Sequence, residues 1–424
     1  MNKKIISLAA SALLLLQAGL PGQMAAAQES EGPLTMRSGP ILQVPDEYPK
    51  KFVFDDGVDI PYPEDGVKGI YLTGSSAAGE AMEGLTQFVN ETDLNAMVID
   101  VKEDHGNILF DFESDHELIQ SNTNPLMEAE DLIDHMEENQ IYPIARIVAF
   151  KDTVLAEQHP EYSFRQADGS IWKDSNGEAF VSPYLKEVWD YNIEVAKEAA
   201  KMGFKEIQFD YVRFPEGFEN MAGDLQFDMG DYADLEADES DYRVSAISDF
   251  VEYASEELKP YGVDVAVDIF GYTATIDEAS GIGQNFLEIS QHVDVISSMI
   301  YPSHWGPGHF DLPAPDLYPY ELTDRYIQLE KETLNQLENP PTSRPWLQDF
   351  TASYLGAGMY MEYDAQAVED QVRALSDNDI HEFLLWDASN QYTTGVDYAP
   401  ESNDEEKETA DSEESESSES QENE

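Results

Sequence analysis

Apolar runs of strand length begin near Val67, Ala96, Tyr142, Glu206, Val263, Val293, Arg344 and Glu382, and each is followed by a helical pattern. The helical stretches are amphipathic. Ala129 to Glu138 places Leu132, Ile133 and Met136 on one face, Leu185 to Lys201 places Val188, Tyr191, Val195 and Ala199 on related turns, and a further helix is expected through Ala78 to Glu91. Strands that alternate with helices make parallel sheets, and eight of them close on themselves. The pattern therefore predicts an α/β chain folded as a (β/α)8 TIM barrel across residues 67–396. Two long insertions between strand and helix interrupt it. One is His159 to Tyr184, with turns at Asp168-Gly169 and Asn176-Gly177; the other is Glu216 to Asp241, dense in Asp and Glu and read as a solvated loop. Ahead of the barrel, residues 28–66 are rich in proline and read as an extended linker or a strap across it.

Catalytic groups of such a barrel sit at the C-terminal ends of its strands, where the loops open to solvent and the strands hold them rigidly. The ends of the runs are polar: Asp100, Lys102, Glu103 and Asp104 in the second, Arg146 and Lys151 in the third, Asp210 and Arg213 in the fourth, and Asp268 in the fifth. Tyr301 and His304 end the sixth, Gln348 and Asp349 the seventh, Asp387 the eighth. Asp210 closes the run Ile207-Gln208-Phe209-Asp210-Tyr211-Val212-Arg213-Phe214-Pro215, and a carboxylate in so apolar a stretch costs free energy to bury. Alone it also admits the blander reading of a rim ion pair with Arg213. Acids repeated at neighbouring strand ends favour a functional cluster.

Convergent carboxylates and aromatics at one mouth suggest sugar chemistry. Cleaving a glycosidic bond takes one carboxyl group to protonate the leaving oxygen and a second to attack or to activate water. Asp210 is expected to be the nucleophile or base and Asp268, desolvated by Val265, Val267 and Ile269 around it, the acid. Asp349, Glu103 and Asp387 compete for the second role, each reading also as a salt bridge or a cap. Asp100, Lys102, Arg146, Arg213, Tyr301, His304, Trp305, Gln348 and Trp386 are expected to hold the saccharide, with Arg213 compensating the charge of Asp210. Trp305, in a loop rich in glycine and proline, is expected to be exposed, and Trp346 to be core. No cofactor or metal is expected: the chain has no His-x-His pair, His105, His304 and His309 are scattered, and the acidic insertion lacks EF-hand spacing for calcium. Gly356-Ala357-Gly358 has the look of a phosphate-gripping turn, but the surface charge would repel phosphate. Two rivals remain: a noncatalytic carbohydrate-binding or envelope protein on a degenerate barrel, and a metal-dependent deacetylase or amidohydrolase.

Composition narrows the setting. The chain carries 87 Asp and Glu against 23 Lys and Arg, a net charge of −64, and no cysteine. It opens with Met1-Asn2-Lys3-Lys4, an apolar stretch from Ile5 to Leu16 and Ala25-Ala26-Ala27, the pattern of a secretory leader cleaved after residue 27. Residues 397–424 read as a disordered acidic tail, with twelve acids against Lys407 from Glu401 onward. Losing the two leader lysines takes the charge to −66, and removing the tail's −11 leaves about −55 on the folded part. Such a surface excludes nucleic acid as a partner and suits a salt-rich or alkaline exterior, where screening is strong. The protein is therefore expected to be secreted or associated with the cell envelope, without a membrane span once the leader is removed.

Several blocks also resemble a known family. Ala145 to Asp152, Pro183-Tyr184 with Val188 to Asn192, Glu206 to Pro215, Met299 to His304, Pro345 to Phe350 and Trp386 to Asn390 are similar to the bacterial "putative glycosyl hydrolase" domain, across about Val67 to Tyr392. The resemblance implies a (β/α)8 barrel distantly similar to glycoside hydrolases, found in exported or cell-envelope proteins. Arg146, Asp210, Arg213, Tyr301, His304, Gln348, Asp349 and Asp387 fall on its motifs.

Overall fold

The computed structural model describes residues 53–400 except 113 and 235–238. The expected leader, residues 28–52 of the expected strap and residues 401–424 of the expected tail lie outside the described residues. The strands are β1 (Lys68–Leu72), β2 (Ala96–Lys102), β3 (Tyr142–Val148), β4 (Glu206–Asp210), β5 (Asp264–Phe270), β6 (Val295–Met299), β7 (Thr342–Ser343), β8 (Trp346–Gln348) and β9 (Phe383–Trp386). All pair in parallel, and β9 pairs with β1 to close the sheet. Since β7 and β8 both pair with β6 and are separated only by Arg344-Pro345, where proline has no N–H to give the ladder, they form one barrel position. The result is an eight-stranded (β/α)8 barrel.

The principal helices between the strands are α1 (Ala81–Asn90), α2 (Ala129–Asn139), α3 (Lys186–Met202), α4 (Glu239–Leu258), α5 (Phe286–Ser290), α6 (Pro319–Leu334) and α7 (Ala365–Ser376). Their apolar faces cover the barrel. Leu132, Ile133 and Met136 are the buried face of α2, as the periodicity requires. Gly203 ends α3 in the left-handed region at φ 117°, and a Cβ there would come within 2.6 Å of Val58.

Residues 53–66 run along the ends at which the strands begin. Phe54 N–H donates to Pro260 C=O at 2.8 Å ahead of β5, Lys205 Nζ ahead of β4 reaches Asp56 Oδ2 at 2.9 Å, and Tyr62 OH donates to Glu382 Oε1 at 2.6 Å ahead of β9. Beside Tyr62, buried Arg344 donates to Glu206 Oε2 at 2.5 Å and to Glu382 Oε2 at 2.8 Å. Higher in the barrel, Gln208 Nε2 donates to Ser297 Oγ at 3.3 Å. The side chains of β4 at Glu206, Gln208 and Asp210 thus carry polar groups along the axis, where such barrels usually hold branched apolar residues.

One expected site residue leaves the mouth at this level. β2 carries a register shift: Asp100 lies opposite Arg146, but Lys102 lies opposite Ile147. The extra residue reverses the alternation of side chains. Lys102 is accordingly buried outside the barrel, ion-paired to Asp152 at 2.7 Å and bonded to Asn192 of α3 at 3.0 Å.

The two insertions pack on each other instead of standing apart in solvent. Arg165 and Gln226 exchange main-chain hydrogen bonds at 2.9 and 2.8 Å, and Phe164, Phe214, Phe218, Phe227 and Tyr184 form a ring cluster with centroids as close as 4.7 Å. Described residues of the acidic loop, Phe218, Ala222 and Tyr232, are buried there. The acids of this loop, Glu216, Glu219, Asp224, Asp228 and Asp231, are exposed, as a solvated loop requires, while the buried rings anchor it to the first insertion.

Candidate active site

At the C-terminal end of the barrel lies a cavity of about 620 Å³. Asp210, Asp268, Arg146, Arg213, Tyr301, His304, Trp305 and Trp386 line it, together with residues the sequence did not single out for binding: Asp104, Tyr211, Glu216, Phe270, Tyr272, Met299, His309 and Trp346. The two acids come from neighbouring strands at equal height, following the paired positions Phe209 and Val267.

Arg146 joins three carboxylates. Its Nη1 donates to Asp100 Oδ1 at 2.7 Å, its Nη2 to Asp104 Oδ1 at 2.7 Å, and its Nε and Nη2 to Asp210 Oδ2 at 3.0 and 2.6 Å. Tyr71 OH donates to Asp100 Oδ2 at 2.7 Å, and Lys151 Nζ reaches Asp104 Oδ2 at 3.0 Å. The other oxygen of Asp210 accepts the N–H of Tyr211 at 2.6 Å, a residue held in the left-handed region at φ 51°. A non-glycine residue there stores strain and marks a constrained site. Asp210 is thus a fixed carboxylate with its charge compensated.

Asp268 is in the opposite situation. It is buried, no described cation bonds it, and its Oδ1 accepts the indole N–H of Trp346 at 2.7 Å. Burial, reinforced by the charge of Asp210, pushes its carboxyl well above the usual carboxylate range, while the indole hydrogen bond acts the other way. Burial likewise raises Tyr301, helped by the charges of Asp268 and Asp210, and lowers His304. One ion-paired carboxylate beside one desolvated carboxyl is the asymmetry that separates base from acid.

Flat rings form the walls. Trp386 stacks on Tyr71 at 4.3 Å between centroids and meets Trp346 edge-on at 5.6 Å, and Phe270 stacks on Tyr272 at 5.8 Å. Trp305 is buried against Tyr326, not exposed as expected, yet it lines the cavity.

Other expected members lie elsewhere. Gln348 accepts Ser303 N–H at 3.0 Å and donates to Asp316 and Phe350, so it braces loops behind the site. Asp349 accepts Thr393 Oγ1–H at 2.6 Å and Thr393 N–H at 3.0 Å, and burial lifts it to about 6. Asp387 closes a turn on Ser389 N–H at 2.7 Å instead of capping a helix, and Glu103 accepts His105 N–H and Asn107 N–H at 2.9 Å in its own loop. Asp100 sits behind Arg146, outside the cavity. Arg213 lines the cavity but does not pair with Asp210: it lies over the rings of Phe270 and Tyr211 at 4.7 and 4.8 Å. Among the described residues no cluster of three His, Asp or Glu is arranged to hold a metal.

This barrel and its site define a glycoside hydrolase-like protein. Residues 69–392 match the family described as "putative glycosyl hydrolase domain", and the chain belongs to that family. A hypothetical protein of Ruminiclostridium thermocellum is 32% identical over 47% of this chain and 96% of that one, with a TM-score of 0.40. The glycoside hydrolase domain of PgaB (BpsB) from Bordetella bronchiseptica shares the fold, at 15% identity, TM-score 0.50, and coverage of 76% of this chain and 93% of that one. A comparison with curated proteins gives no match.

Proposed function

We propose that the protein is an exported glycoside hydrolase of the cell exterior or envelope that cleaves a polysaccharide with two carboxyl groups. The observation that carries this reading is the pair of acids on adjacent strand ends, one held by Arg146 and one desolvated against Trp346, at the floor of a cavity walled by aromatic rings. Asp268 gives its proton to the departing glycosidic oxygen. Asp210 is the ionised partner that attacks or activates water, and the rings stack on the C–H faces of the sugar. Export rests on the leader-like N-terminus. The net charge of −64 favours a neutral or cationic chain over a polyanion. Against a noncatalytic barrel stands the placement of the two acids at equal height on neighbouring strands, next to the paired positions Phe209 and Val267.

The test is to incubate the purified protein with a panel of neutral and amino-sugar polysaccharides and to count new reducing ends. Cleavage of one member by the wild type, lost in both Asp210→Asn and Asp268→Asn, supports the reading. Binding to a member with no cleavage by the wild type replaces it with the noncatalytic alternative.

A further inference from the structure

We infer that Trp346 is a positioning residue that decides which oxygen of Asp268 carries the catalytic proton. The inference rests on the reading of Asp268 as the acid, but its first test does not need a substrate. An indole nitrogen only donates. Its N–H points at Asp268 Oδ1 from 2.7 Å, so that oxygen is bound to act as acceptor, and the proton of a neutral carboxyl belongs on Oδ2. No described residue bonds Oδ2, and Asp268 lines the cavity, so the proton faces the space where a leaving oxygen would lie. Without the indole the two oxygens would share the proton, and a carboxyl turned the wrong way would have to rotate before it could act.

The indole is itself fixed. Trp346 is 1% exposed, stands edge-on to Trp386 at 5.6 Å and 89°, and Trp386 in turn stacks on Tyr71, which is tied to Asp100. A ring packed on that stack cannot swing its N–H away. The groups that bear charge toward Asp268 are Asp210 and Glu206 on β4 and Arg146 on β3, with the Tyr301 hydroxyl after β6. None of them replaces the indole hydrogen bond, so its effect is separable from theirs.

The free protein, labelled with 15N at its five tryptophans, gives the first test. One indole N–H signal should move with pH as Asp268 ionises, and should shift upfield in Asp268→Ala, which deletes the acceptor. An indole spectrum in which no signal responds to either change overturns the inference, whatever the activity screen finds. The second test is Trp346→Phe on the polysaccharide the wild type cleaves. The basic limb of its pH–rate profile should rise by about one to two pH units, because the lost bond favoured the ionised form. Its rate should fall about tenfold with a sugar leaving group and little with an activated aryl leaving group. An unmoved limb, or equal losses on both, leaves Trp346 as packing only.

Discussion

Arg146 gives both Nε and Nη2 to a single oxygen of Asp210, at 3.0 and 2.6 Å. The arginine that compensates the carboxylate therefore comes from the adjacent strand, while Arg213, three residues along the chain, packs on rings and bonds the carbonyl of Phe214. The forked guanidinium makes four hydrogen bonds to Asp100, Asp104 and Asp210 together, and an ammonium has only three donors.

Arg146→Lys should accordingly lower kcat at least about 100-fold, because the carboxylate loses its fixed orientation. Arg213→Lys should change KM more than kcat. Steady-state kinetics on the polysaccharide identified in the screen separate the two, and equal effects of both substitutions would contradict the division of labour.

The unusual state of Asp268 should be visible in stability. Its folded pKa is raised, so the native state binds the proton more tightly than the unfolded chain, and stability falls as pH rises from the unfolded value near about 4 toward the folded one. Asp268→Asn removes that penalty and can still accept from Trp346. Its melting temperature should match wild type near pH 4 and exceed it increasingly at higher pH. Each unit by which the folded pKa is raised is worth about 1.4 kcal/mol at the plateau. A constant difference at all pH values would mean that Asp268 ionises normally.

Two buried cations outside the cavity should matter for folding alone. Lys102→Ala leaves Asp152 buried without its partner, and Arg344→Ala does the same to Glu206, each costing about 3–5 kcal/mol. Urea unfolding should report both losses, and kcat of the Lys102→Ala protein that remains folded should be unchanged. A large kcat defect in Lys102→Ala would return that residue to the site.

The contrast between these cations shows what was legible in the sequence. The barrel was, because strand and helix periods alternate over the whole domain: the runs expected at Ala96, Tyr142 and Glu206 begin β2, β3 and β4 at those residues. Asp210 and Asp268 were legible as acids at the ends of consecutive strands. Lys102 was not, since an added residue in β2 reverses the side a chain points to without leaving a mark in the hydrophobic pattern. The bracing roles of Gln348 and Asp349 depend on Ser303, Asp316 and Thr393, whose approach is set by the fold and not by sequence distance. Trp346 was expected in the core and is buried, but burial does not stop its N–H from reaching the site.

The surface charge makes a further expectation. A net charge of −64 repels itself, and near molar salt the Debye length shrinks to about 3 Å. The melting temperature should rise from low salt to about 1 M sodium chloride. A flat or falling curve would show that local pairing already offsets the charge.

The most direct measurement is the rate of Asp268→Ala on two glycosides with the same sugar, one with an activated aryl leaving group and one with a natural saccharide. An aryl oxide departs with little help, so the variant should keep most of its rate on the first and lose about 10²–10⁴-fold on the second. Equal losses on both substrates would remove Asp268 from the role of acid and contradict the two-carboxylate account.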